Sequence, residues 1–287
     1  MKKLTFVLVL VLVLAFVLVS VAYAITNGEP DDGRHPYVAL LVFGVDTPAG
    51  FVPSWRCSGA LIDENVVLTA GHCTDGATEA RVWFDEGPVA WGTWNPDTNP
   101  TSCAGETGYP CTGDAAGTPY TNPKYRSDEN PYGGGNGLPA FSYRDFGVVV
   151  LDEPVYMDEY AELPTPGLVD TLKNKTDVDL VGYGVQEQIH GGGLPSWTGD
   201  RGRLYAPSQL VSGKFVHSAE FMKLSLNASQ DKGGTCFGDS GGPDLLGGTD
   251  TVLAVNSYVT NYNCAGVGYS SRVDIPEILE WIDGFMP

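Results

Sequence analysis

Past residue 24 the apolar runs of this chain are strand-length and heavily punctuated. With 37 glycines and 20 prolines spread over 287 residues, few segments can continue as a helix. Tyr37–Phe43, Trp55–Ile62, Asn65–Ala70, Arg81–Phe84, Phe146–Leu151, Val178–Gly184, Leu210–Val216, Phe221–Leu226, Thr251–Tyr258 and Gly266–Val273 read as strands, with Asp63-Glu64 as a turn. Asp274–Phe285 is the one convincing helix. Asp274 fits its N-cap, Pro276 fits its first turn, and Ile278, Leu279 and Ile282 share a face. Many short strands, glycine-rich turns and one terminal helix predict an all-β chain of antiparallel barrels or sandwiches.

Three stretches read differently. Residues 92–143 are dominated by Pro, Gly, Asn, Thr and Ser, and are expected to form a long surface excursion. Residues 153–170, with Pro154, Pro164 and Pro166, read as a linker, and residues 191–208 as irregular. No internal repeat is visible.

The first 24 residues carry the marks of a secretory leader: Lys2 and Lys3, an apolar run from Leu4 to Val19, and the small-x-small site Ala22-Tyr23-Ala24. Cleavage there leaves residues 25–287 and predicts an oxidising destination. It removes two cations and no acids, moving the formal charge from −19 to −21. Such an acidic surface argues against nucleic acid or anionic lipid as a partner. No second apolar run is long enough for a membrane span. All six cysteines (57, 73, 103, 111, 236 and 264) follow the leader, which suggests three disulfides with 15 possible connectivities. No C-x-x-C spacing points to zinc.

Two short strings carry chemistry. In Gly238-Asp239-Ser240-Gly241-Gly242-Pro243, a hydroxyl sits among glycines that free the backbone to bend and its N–H groups to point outward. Taken alone this is equally a glycine-rich turn. In Leu68-Thr69-Ala70-Gly71-His72-Cys73, a histidine ends an apolar strand beside a half-cystine. His35, His190 and His217 lack such a setting and read as structural imidazoles.

Together, and in this order, Thr-Ala-Gly-His-Cys and Gly-Asp-Ser-Gly-Gly-Pro resemble the trypsin/chymotrypsin-like (S1 type) serine peptidase family, over nearly all of residues 25–287. The resemblance implies two antiparallel Greek-key six-stranded β-barrels, at about 37–160 and 165–273, and a C-terminal α-helix at about 274–285. It implies a triad of Ser240 as nucleophile, His72 as base and an aspartate opening an apolar strand between them. Asp145 fits, although Phe146 and Gly147 depart from the family's Asp-Ile-Ala-Leu-Leu. Asp152 follows the strand instead of leading it, and Asp128 lies in the excursion. The alternative for Asp145 is an ion pair with Arg144.

The resemblance further implies an oxyanion hole from the N–H groups of Gly238 and Ser240. It implies an activation pair between the new amine of Ile25, in Ile25-Thr26-Asn27-Gly28, and Asp239, made directly by leader cleavage. The implied bridges are Cys57–Cys73 and Cys236–Cys264, with Cys103–Cys111 left within the excursion. The specificity pocket falls to Gly234, Thr235, Ser257, Tyr258, Val259 and Gly268. Gly234 stands where trypsin-like enzymes carry Asp, and neither Asp231 nor Asp244 matches that position. Val259, in place of the family's Gly, narrows the wall. A neutral, small or medium apolar P1 is therefore expected, not Lys or Arg.

No cofactor and no metal are implied. The expected partner is a protein or peptide substrate, with a protein inhibitor as a further possibility, acting on a monomer. Two other classes compete. A binding module derived from the family would have lost triad residues, and this chain keeps them. An α/β-hydrolase esterase needs its histidine last in order, and here histidine comes first.

Overall fold

The computed structural model describes residues 25–26, 28–89, 113–125, 144–189, 196–198, 201–211, 218–227, 232–259 and 261–287. Strand β1 (Glu29–Pro30) opens the chain. A first group follows: β2 (Val38–Thr47), β3 (Gly50–Asp63), β4 (Val66–Thr69), the one-turn helix α1 (Gly71–Thr74), β5 (Glu79–Trp83), β6 (Ala115–Thr121) and β7 (Gly147–Leu151). These six strands close into an antiparallel barrel in the order β2-β3-β4-β7-β6-β5. Its filling is what the apolar runs supply: residues 37–43 and Leu61, Val66, Val67, Leu68, Val148 and Val149 are all fully buried.

After α2 (Leu168–Thr171) come β8 (Asp177–Gly182), the small hairpin β9 (Glu187–Ile189) and β10 (Ser196–Thr198), and β11 (Leu204–Gln209). They are followed by β12 (Phe221–Leu226), β13 (Pro243–Leu246), β14 (Val252–Val259), β15 (Gly266–Arg272) and the terminal helix α3 (Pro276–Asp283). The second sheet runs β1-β11-β8-β13-β14-β15-β12. It curls until a single bridge, Leu210 to Leu224, links the ends of its outer strands. Without the two-residue β1 it has the six strands expected. Counted within each half, both sheets follow the same cyclic order, 1-2-3-6-5-4. The halves therefore repeat in topology, although no repeat is legible in sequence.

Several expectations need correction. Strand β6 lies inside the stretch read as a surface excursion, and β10 and all but the last residue of β11 lie inside the stretch read as irregular. Asp274 does not cap α3, whose N-cap is Ile275. Its carboxylate instead accepts the N–H of Val169 in α2 at 2.8 Å and pairs with Arg272 at 2.9 Å. The cap geometry is lost to a buried ion pair that ties α2 to β15. Cys103, Cys111, Asp128, Asp231, His190 and His217 lie outside the described residues. His35 is buried against Asp31, as a structural imidazole would be.

Candidate active site

The site is assembled from both halves. Strand β4 ends at Thr69, and α1 begins two residues later, which places His72 at the mouth of the first barrel. Disulfide Cys57–Cys73 pins α1 to β3. Asp145 lies two residues before β7, which pairs with β4, so the two segments carrying His72 and Asp145 run side by side. Asp145 is fully buried, and its two oxygens are divided with purpose. Oδ1 accepts the backbone N–H of His72 at 2.8 Å, and Oδ2 lies 2.9 Å from His72 Nδ1. An ionised carboxylate only accepts, so Nδ1 bears the ring proton and Nε2 keeps its lone pair.

From the second half, the Ser257 hydroxyl donates to Asp145 Oδ2 at 2.5 Å. Arg144 does not compete for Asp145. Its guanidinium reaches Glu220 at 2.5 Å and Glu277 at 3.2 Å.

Ser240 arrives on the loop between β12 and β13. Its carbonyl accepts the N–H of Ser58 at 2.8 Å, and Cys73 Sγ lies 3.7 Å from the same oxygen. The serine is thus held against the residue that follows His72. Gly241 takes φ +78°, and a Cβ there would sit 2.0 Å from Thr69 Oγ1, so only glycine lets this loop meet the first barrel. Ser58, which no sequence pattern singled out, also donates through its hydroxyl to the Gly238 carbonyl at 2.9 Å. The N–H groups of Gly238 and Ser240 are the oxyanion donors that the family resemblance implies. Among the described residues, neither N–H is taken by a protein acceptor. The only hint of Ser58 in sequence was its place beside Cys57.

Disulfide Cys236–Cys264 joins the loop to β15's approach. Asp239 is fully buried and accepts N–H bonds from Gly184 at 2.7 Å and Cys236 at 2.9 Å. Burial pushes its pKa up to about 7 despite those donors and the nearby Arg56 charge. Ile25 is fully buried too, and its neighbour Thr26 forms a bridge with Gly234. No bond joins Ile25 to Asp239 in the full chain, where the Ile25 nitrogen is still an amide.

The positions expected to line the pocket fall in two groups. Val259 pairs with Gly268 across β14 and β15, and Tyr258 stacks on Tyr269 with ring centroids 4.7 Å apart. Thr235 is buried beside Gly234. The only group of histidine, cysteine or carboxylate ligands close enough to share an ion, among the described residues, is Cys57, His72 and Cys73. Its sulfurs are bonded to each other and offer no thiolate.

The family model for trypsin matches residues 25–282. The chain belongs to the trypsin family. Its trypsin-family relatives include Trypsin theta of Drosophila melanogaster, 26% identical over 87% of this chain and 81% of that protein. Spaetzle-processing enzyme of the same fly is 27% identical over 72% of this chain and 52% of that protein, so about half of that relative is matched. Among solved structures, HL collagenase superposes with a TM-score of 0.60 at 18% identity, covering 91% of this chain and 97% of that one. Human heparin binding protein superposes at 0.54 and 19% identity, covering 91% of this chain and 96% of that one. At these identities the two structures speak for the fold alone. As a trypsin-family member the protein is a serine-type endopeptidase, and its substrates are proteins or peptides.

Proposed function

We propose that the protein is a secreted serine endopeptidase that works through Ser240, His72 and Asp145. The observation that carries this reading is the threefold grip on Asp145, held by the His72 backbone, by its Nδ1 and by Ser257. That grip leaves Nε2 of His72 as the only basic site of the ring. His72 takes the Ser240 proton as the hydroxyl attacks the peptide carbonyl, then returns it to the leaving amine. Asp145 stabilises the imidazolium between the two transfers. The N–H groups of Gly238 and Ser240 receive the oxyanion. Water then releases the acyl group by the same steps in reverse.

Removal of residues 1–24 frees the amine of Ile25, which pairs with Asp239. The buried carboxylate, poorly supplied as an anion in the uncut chain, gains a cation. In the pocket, Gly234 supplies no acid and Val259 narrows the wall. These positions by themselves favour a neutral apolar P1.

A phosphonate or sulfonyl fluoride should label the secreted protein, and Ser240→Ala should lose both label and hydrolysis. N-terminal sequencing of the labelled protein should begin at Ile25. Label that persists without Ser240 would sink the mechanism, and a different first residue would sink the activation step alone.

A further inference from the structure

The residue before the proposed triad acid has an unusual backbone. Arg144 takes φ +53°, in the left-handed region that a residue with a Cβ seldom enters. Its carbonyl accepts the N–H of Phe146 at 2.8 Å, which closes a three-residue turn with Asp145 at its centre. This turn sets the direction in which the Asp145 carboxylate leaves the chain.

The groups that hold Arg144 lie in the other half of the molecule. Its side chain is buried, and the guanidinium spreads over two acids, Glu220 Oε2 at 2.5 Å and Glu277 Oε2 at 3.2 Å. A planar fork can take two carboxylates at once, which an ammonium cannot do as well. Glu220 precedes β12 and is itself fixed. The Ser218 hydroxyl accepts its N–H at 3.3 Å, and its carbonyl accepts the N–H of Arg272 at 2.9 Å. The Arg272 guanidinium is committed elsewhere, to Asp170 and Asp274. Burial raises the pKa of Glu220, and Arg144 works against that rise. Glu277 lies in the first turn of α3, and its Oε1 holds Lys124 of the first half at 2.8 Å. Two cations of the first half thus meet two acids of the second, one residue from Asp145. The Asp145 oxygens themselves go to His72 and Ser257.

We propose that Arg144 is a positioning residue for the reaction. By gripping Glu220 and Glu277 it holds the left-handed turn that aims Asp145 at His72. The second half thereby sets the aim of an acid carried by the first. This rests on the triad reading above.

The variants are made in the secreted, processed protein, and rates are read per titrated Ser240. Arg144→Ala should lower kcat on the order of 10-fold to 10²-fold with KM nearly unchanged. The acid limb of its kcat/KM profile should move to lower pH, because a loosely aimed carboxylate stabilises the His72 imidazolium less. Loss of a positive charge by itself would move that limb to higher pH, so the direction separates positioning from plain electrostatics. Arg144→Gly, at ease at positive φ but without a grip, should regain stability and not kcat. Arg144→Lys, one point charge for two acids, should recover part of kcat. Glu277→Gln, at the half-buried arm, should show a smaller loss of kcat. Wild-type kcat in Arg144→Gly, or an acid limb that stays or moves up in Arg144→Ala, overturns the proposal. If Arg144→Ala does not fold, Arg144→Gly carries the same two readouts. If neither folds, unchanged kcat in Glu277→Gln overturns it. A wild type whose Ser240 takes no label, or full hydrolysis by Asp145→Asn, would instead defeat the triad reading beneath it.

Discussion

Ser58 shows how much of this site is set by a residue with no reacting atom. Its N–H holds the Ser240 carbonyl, its hydroxyl holds the Gly238 carbonyl, and the same hydroxyl accepts the N–H of Tyr183 at 2.9 Å. Ser58→Ala removes two side-chain bonds in a buried place at once. It should cost about 1–3 kcal/mol of stability, read from denaturant midpoints. Because Gly238 is then free to rotate, kcat should fall more than KM rises. Unchanged kcat would show that the loop holds itself. The proposed triad was legible in sequence because three residue types, their order and their flanking strings occur together. Ser58 was not, because its importance comes from what lies across the barrel seam. Nothing local to Cys57-Ser58 shows that neighbour.

At the scale of elements, two of the strands that the sequence hid contain proline. Pro119 sits in β6 and Pro207 in β11. Both are tolerated because the ladder is one-sided where they fall. Strand β5 pairs with β6 only over Ala115, Ala116 and Gly117, and β1 pairs with β11 only at Leu204 and Tyr205. Each proline's nitrogen therefore lies on the side without a ladder partner, and its lack of an N–H leaves no acceptor unsatisfied. A composition rule that reads proline as loop cannot see which side of a strand is paired.

Helix α1 makes the complementary point. Four residues cannot hold a helix by propensity, so the Cys57–Cys73 bridge and the packing of β7 must do so. Replacing both cysteines by alanine should lower stability by about 2–4 kcal/mol. It should lower activity further than stability alone explains, since His72 rides on that turn. Equal activity per folded molecule, measured by active-site titration, would contradict this.

The whole molecule is joined by buried polar ties across the seam. Arg203, at the start of β11, donates to the carbonyls of Val38 at 3.2 Å and Phe84 at 2.8 Å in the first half, and pairs with the fully buried Asp31 at 2.9 Å. Burial alone would raise the Asp31 pKa, but hydrogen bonds from His35 and the charges of His35 and Arg203 hold it below the usual range. Tyr183 adds a bond from its hydroxyl to the Asp85 carbonyl at 2.6 Å. Arg203→Leu should cost about 3–5 kcal/mol, because it strands the Asp31 charge in the interior. Loss of hydrolysis should then precede loss of far-ultraviolet dichroism on heating. Coincident transitions would mean the halves do not separate.

In the proposed triad His72 and Asp145 belong to one half and Ser240 to the other, so neither half owns a complete site. A copy of this enzyme damaged by heat or acid would loosen first where the halves meet. It would fall silent before it became indiscriminate, and a failing molecule would spare the proteins around it.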